Sequence, residues 1–360
     1  MRVIIAGGGT GGHLFPALAV ARAVRAEAPE TEVLFVGARQ GLEAKIIPST
    51  EFPIRFITAR GMRGVKATNV LRAILEIPRG IVESLFILRD FRPHVALGVG
   101  GYASGPTMLA ALAMRIPTAI QEQNSVMGAT NRALARLVDR VFISWEKTEP
   151  QPPQGKTKLT GNPIRGDLTA PAQAEPEREG LHVLVFGGSQ GALSINAAIT
   201  NSLDQLKPLA DRISFVHQTG RGRVEETLRA YSDAGIHADV VEFIDDMGAA
   251  YHWADLVVCR AGASSLAEIT ALGKAAIVVP YPHAVGDHQT RNAEVLAARG
   301  AVRVIPDSRL RNGALVQEIT ELAENPEQLV KMAANSRKLG RPQAARSIAR
   351  ELLSMAGSHA

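Results

Sequence analysis

At 360 residues the chain is too long for one ordinary domain, and two are expected. Hydrophobic residues make up 46%, enough for proper cores, and the single cysteine, Cys259, excludes an internal disulfide framework and fits a reducing compartment. The net charge of +5 divides into +8 over residues 1–160 and −3 over 161–360, so the basic half suits an anionic membrane or a phosphorylated substrate; with aromatics at 4% and not interleaved with basic residues, nucleic acid is disfavoured.

The chain opens with a short apolar run, Val3–Ala6, that fits a buried parallel strand. Gly7, Gly8, Gly9, Thr10, Gly11 and Gly12 follow, and then His13 opens an apolar, helix-like run with Pro16 near its first turn. An apolar start broken so early by turn residues is not a secretory signal. Strand, Gly-rich turn and helix present backbone N–H groups to an anion. His13, at the lip of that turn, is either a general base or a polar residue capping the helix. A dinucleotide fingerprint would need an acidic residue ending the second strand. That strand, Val33–Val36, ends in Gly37, and Glu27 and Glu30 precede it, so NAD binding is disfavoured. There is no GxxxxGK[ST] loop.

Residues 64–92 interleave Val70, Leu71, Ile74, Leu75, Ile77, Ile81, Leu85, Phe86 and Leu88 with Lys66, Arg72, Arg79, Arg89 and Arg92. They form either ordinary helix packing on a sheet or a basic amphipathic surface for anionic lipid. Val95–Ile120 is the most apolar region, but its glycines, Pro106 and Arg115 exclude a membrane span. Gln121, Glu122, Gln123 and Asn124 follow the apolar strand Pro117–Ile120. Ser144–Gly166, with Pro150, Pro152, Pro153 and Pro163, suits a linker, and within it Gly161-Asn162-Pro163-Ile164-Arg165 follows Leu159.

The second half echoes the first. His182–Phe186 followed by GGSQGA repeats the opening at an offset of 180, and Leu256–Pro280 repeats Val95–Ile120 at an offset of 160. Repeated β-α-β units imply parallel sheets with helices on both faces, hence two doubly wound Rossmann-like domains with ligands at the carboxyl ends of the strands. Arg260–Glu268 and Asp287-His288-Gln289 add polar residues at such ends. Glu327–Met355 has helical spacing and either stays with the second domain or crosses back to the first. No two Asp lie two apart, so the pair that would hold Mg²⁺ on a nucleotide diphosphate is missing.

The motifs GGGTGGH, GGYASGP, QEQN, GNPIR, GGSQGA, EFIDDM, AGASSLAE and DHQxxNA stand in one order from Arg2 to about Ala298. In that order the sequence resembles the MurG family of glycosyltransferases. The resemblance implies transfer of N-acetylglucosamine (GlcNAc) from UDP-GlcNAc to undecaprenyl-diphosphoryl-MurNAc-pentapeptide (lipid I), giving lipid II for the bacterial cell wall. It implies two Rossmann-like domains of the GT-B kind and an inverting, metal-independent reaction with no cofactor. The expected divisions are an acceptor domain at 1–160, a donor domain at 161–335 and a C-terminal helix at 336–360. Peripheral attachment to the cytoplasmic face of the membrane, through anionic phospholipid, and contact with cell-wall synthesis proteins are further implications.

Carried over by motif, His13 is the expected base and Glu122 the second choice. Gly9, Gly101 and Ser104 are expected near the acceptor diphosphate. Thr10, Gly11, Gly12, Asn124 and Gln289 would address the sugar, Ile244 the uracil through its backbone, and Glu268 the ribose hydroxyls. Ser189 and the turn Ala263, Ser264, Ser265, Leu266, Ala267 would bind the donor diphosphate, and Arg165 the nucleotide. Gln121 departs from the family pattern, which has His there. The rival readings are a UDP-GlcNAc 2-epimerase, a glycosyltransferase with a soluble acceptor, and a sugar-nucleotide-binding subunit without its own base.

Overall fold

The computed structural model describes residues 1–59, 67–169, 179–188 and 191–358, without the side chains of 67–75, 167, 169 and 285. The chain divides into two units: 1–165 with 341–360, and 166–340.

In the first unit the order is β1 (Arg2–Ala6), α1 (Gly11–Glu27), β2 (Glu32–Ala38), α2 (Glu43–Ile46), β3 (Ile54–Ile57), α3 (Ala67–Phe91), β4 (Val95–Gly98), α4 (Ser104–Ala113), β5 (Thr118–Glu122), α5 (Ala129–Leu134), β6 (Arg140–Ile143) and β7 (Thr157–Leu159). The strands form one parallel sheet in the order β3-β2-β1-β4-β5-β6-β7. Wholly buried Val3–Ala6 pairs with β2 on one side and β4 on the other, which explains its continuous apolar run. The order reverses direction at β1 and β4. Crevices at such switch points, outside the carboxyl ends of the strands, are where ligands of this fold class bind.

The second unit runs β8 (Leu181–Phe186), α6 (Leu193–Thr200), β9 (Ile213–Gln218), α7 (Val224–Ala234), β10 (His237–Val241), α8 (Met247–Trp253), β11 (Leu256–Arg260), α9 (Ala263–Leu272), β12 (Ala275–Val279), α10 (His288–Ala297), β13 (Val302–Val304), α11 (Ala314–Glu324) and α12 (Pro326–Leu339). Its sheet, β10-β9-β8-β11-β12-β13, is again parallel. β1 and β8 hold equivalent places, as do β4 and β11, so the repeats at offsets of 180 and 160 match topology as well as composition.

The final helix, α13 (Ala344–Gly357), belongs to the first unit. Its Ile348, Ala349, Leu352 and Ala356 are wholly buried in the same core as Leu14, Val20 and Val24 of α1. Glu27 of α1 takes both Arg346 and Arg350.

Both expected boundaries shift by five residues. The stretch 144–166 is not a bare linker: β7 adds to the first sheet, and Thr160 and Gly161 donate their N–H groups to Ile143 O. At the other end, residues 336–340 complete α12 and the turn after it. Ser336 is buried and donates to Ile269 O of α9, which keeps the segment in the second unit.

Candidate active site

Two glycine turns meet at the carboxyl edge of the first sheet, one after β1 and one after β4. A Cβ on Gly7 would lie 2.4 Å from Gly100 O, and one on Gly101 would lie 2.2 Å from Gly8 O. The two backbones therefore touch, and only glycine fits at either position. The amides of the first turn point inward: Gly7 N–H donates to Val36 O, Gly8 N–H to Gly100 O, and Gly9 N–H to the Glu43 carboxylate at 2.7 Å. Gly9, expected near the acceptor diphosphate, therefore has its N–H engaged within the protein.

Helix α1 starts at Gly11, two residues earlier than expected, so His13 occupies its first turn instead of opening it. Thr10, at the N-cap, makes no side-chain cap bond; its hydroxyl meets His13 Nδ1 at 3.2 Å. The first turn carries no acidic residue, so its N–H groups and dipole remain suited to an anion. A Cβ on Gly100 would lie 3.0 Å from His13 Nε2 and 3.6 Å from Asn131 Nδ2, which gathers His13, the second turn and α5 in one place. Ser104, opening α4, is wholly buried with its hydroxyl against Gly98, so this side chain is not presented at the surface.

Gln121 and Glu122 do not follow the strand as expected. β5 continues through both, and Gln121, Glu122 and Gln123 are buried. Their side-chain amides help to make burial possible: Gln121 Nε2 donates to Asn162 Oδ1 at 3.2 Å, and Gln123 Nε2 donates to Val99 O at 2.8 Å. Glu122 accepts four N–H groups, from Asn124 N, Asn124 Nδ2, Gly128 N and Asn131 Nδ2. Burial pushes the Glu122 carboxyl up, against the pull of those donors. Enclosed in this way, Glu122 is built to hold the 124–131 loop, whereas His13 stands half-exposed at the turn. Arg165 is also half-exposed, at the last position before the second unit.

In the second unit the equivalent edge carries residues expected on the donor side. Gly191, at φ 72°, approaches Thr219 O so closely that a Cβ would lie 2.2 Å away. Ser189 lies outside the described residues. Ile244 is half-buried just before α8, which Asp246 caps by accepting Ala249 N–H. Helix α9 opens at the turn Ala263–Ala267 with Gly262 as an N-cap without a side chain and no acid in its first turn. Leu266 and Ala267 are buried, and the Leu266 N–H donates to Gly262 O. Glu268, half-buried one turn in, accepts the hydroxyl of fully buried Tyr251 at 2.9 Å. Gln289 Oε1 accepts Tyr281 N–H at 2.8 Å, which turns its amide NH₂ away from that bond.

Three features had little sequence signal. Arg260 joins the ends of β11 and β12 to α6 and the segment after β13, donating to Asp307 at 2.6 Å, Ser194 at 2.7 Å, and the carbonyls of Val279 and Pro280. Burial pushes the Asp307 carboxyl up, but the Ser194 hydroxyl and the Arg260 guanidinium together hold it below the usual range. His217 bridges Tyr231 and Asn196 beneath the donor-side turn. Glu43 reaches Gly9 across 34 positions. Only the last could have been suspected, from the glycines flanking it in sequence. Among the described residues no group of three or more His, Cys, Asp or Glu is placed to hold a metal ion.

Residues 3–143 match the glycosyltransferase family 28 N-terminal domain, and 182–349 match the family 28 C-terminal domain. The chain belongs to glycosyltransferase family 28. Among the relatives of this family 28 chain is a Geobacter sulfurreducens protein, 47% identical over 357 residues and 98% of both chains. Its name is UDP-N-acetylglucosamine–N-acetylmuramyl-(pentapeptide) pyrophosphoryl-undecaprenol N-acetylglucosamine transferase. A Myxococcus xanthus protein of the same name is 46% identical over 97% of this chain and 91% of its own. The crystal structure of Acinetobacter baumannii MurG matches with a TM-score of 0.81 and 32% identity, over 98% of this chain and 99% of the other. A UDP-GlcNAc 2-epimerase from Neisseria meningitidis, at 18% identity and a TM-score of 0.69, shares the fold.

Proposed function

We propose that this family 28 chain transfers GlcNAc from UDP-GlcNAc to the MurNAc 4-hydroxyl of lipid I, forming lipid II. The observation that carries this reading is the near-complete coverage, at 46–47% identity, of relatives named for that transfer. The epimerases share only the architecture.

His13 acts as the base. With its Nδ1 proton donated to Thr10 Oγ1, the Nε2 lone pair takes the proton of the acceptor hydroxyl. The hydroxyl oxygen forms the new bond to the anomeric carbon with inversion, and the old bond to phosphate breaks with its electron pair leaving on UDP. The first turn of α9 and the Ser189 turn stabilise the leaving diphosphate in place of a metal ion. Glu268 holds the ribose, Ile244 meets the uracil through its backbone, and Arg165 contacts the nucleotide. Gln289, Asn124 and the Thr10–Gly12 segment address the sugar. On the acceptor side the α1 amides and the Gly101 turn take the diphosphate.

No helix among the described residues is long and apolar enough to cross a membrane. The attachment we propose is peripheral and at the cytoplasmic face, and helix α3 supports the peripheral part of that reading. It buries Gly80, Ser84 and Leu88, and its opposite stripe exposes Arg79, Val82, Phe86 and Arg89. Phe86 is 71% exposed between the two arginines, a combination suited to anionic lipid. Arg72 lies among residues whose side chains are not described. The test is UDP release from UDP-GlcNAc with lipid I against soluble alcohols. Release with lipid I alone supports the reading, and equal release with simple alcohols overturns it.

A further inference from the structure

Beneath the first glycine turn lies a carboxylate for which space has been cleared. Glu43 is 2% exposed and opens α2, reached from β2 through residues 39–42. Oε2 accepts Gly9 N–H at 2.7 Å, and Oε1 accepts Ala38 N–H at 2.9 Å. A Cβ on Gly8, Gly37 or Gly41 would sit 2.3, 2.4 or 2.1 Å from the Glu43 side chain. Glycines from three segments therefore form its slot. Among the described residues only Glu43 and Glu122 are buried acids, and both hold backbone amides at the same sheet edge.

We infer that Glu43 is a positioning residue for the acceptor side, holding the Gly9 amide inward so that the acceptor diphosphate meets the amides of Gly11 and Gly12 at the start of α1. This rests on the acceptor reading of the first unit. Gly9, at φ 88°, has the freedom to turn if released, and a short hydrogen bond to a charged acceptor is the stronger kind of restraint. Gly7 and Gly8 are already committed to Val36 O and Gly100 O, so Gly9 is the last residue fixed before Thr10 and His13. Charge alone would act the other way: a carboxylate near an anion site repels the anion, so its removal would tighten acceptor binding. The two roles thus predict opposite signs.

The experiment is Glu43→Gln, which keeps the shape but sets an NH₂ group against one of the two N–H donors. Steady-state rates are measured with lipid I and UDP-GlcNAc varied in turn. We expect kcat/KM for lipid I to fall by roughly 10–100-fold, the KM for UDP-GlcNAc to stay within about twofold, and the Gly9 amide proton to move upfield in NMR spectra. Gly41→Ala keeps the carboxylate but displaces its tip, so it should give the same acceptor-selective loss. It carries the test if Glu43→Gln does not fold. Parental kcat/KM for lipid I, tighter acceptor binding, or equal losses for both substrates would overturn the inference. A parent enzyme inactive on lipid I would overturn the acceptor reading itself, a separate result.

Discussion

Replacing Glu268 with Ala should damage two properties at once, and they can be separated. On the ligand side, a carboxylate holding ribose hydroxyls contributes about 1.5–3 kcal/mol, so the Kd for UDP-GlcNAc should rise by roughly 12–150-fold. On the protein side, the substitution removes the acceptor of the Tyr251 hydroxyl, whose residue is fully buried. Leaving such a hydroxyl without that bond costs about 1–3 kcal/mol, and each kcal/mol shifts the melting temperature of a body this size by about 2–4 °C. Adding Tyr251→Phe to Glu268→Ala removes the hydroxyl that has lost this bond. The double variant should recover melting temperature but not donor affinity. Calorimetric titration with UDP-GlcNAc and thermal unfolding read the two effects separately. An unchanged Kd in Glu268→Ala would refute the ribose assignment, and an unchanged melting temperature would refute the structural duty.

His13→Ala should lower kcat by ~10²–10⁴-fold with donor affinity retained, and should remove the acidic limb of the pH–rate profile; a retained limb would place the base elsewhere. Turnover should persist in EDTA, because helix N-termini take the metal's place; loss restored by Mg²⁺ would contradict this. His217 is wholly buried, and burial lowers its pKa to about 4 from 6.5. The unfolded chain therefore binds a proton that the folded one refuses, so stability is full above about pH 6.5 and falls by up to about 3 kcal/mol as pH drops toward 4. Denaturant titrations of the parent and His217→Gln across that window should show the steeper fall in the parent, and equal slopes would refute the His217 share. Reversing Arg72, Arg79 and Arg89 to Glu removes attraction worth about 1 kcal/mol each and should abolish co-sedimentation with anionic vesicles; UDP-GlcNAc affinity should stay unchanged.

The parallel sheets and the duplicated β-α-β plan were legible because they depend on local signals: the Val3–Ala6 run, the glycine clusters, and the echo of GGGTGG in GGSQGA. Legibility declined where partners lie far apart in sequence. Gln121 and Glu122 looked like loop residues because they are polar, yet the sheet continues through them, since Asn162, Asn131, Asn124 and Gly128 partner their side chains. Glu268 looked like a ligand-facing acid without structural duty, because no local pattern reveals Tyr251. Glu43 drew no reading from the sequence alone; its distinction lies in Gly9, on the neighbouring strand's turn.

The place of α13 has a consequence for synthesis on the ribosome. The first unit cannot complete the core around α1 until residues 344–357 have emerged, because Ile348, Ala349, Leu352 and Ala356 belong to that core. All of residues 166–340 are made in between, which at about 5–20 residues per second takes roughly 10–35 s. Through that interval the nascent first unit carries an uncovered apolar strip on α1, and at its end the second unit has every residue it needs. The later-made unit can therefore be native first, and the earlier one is the natural client for a chaperone during translation.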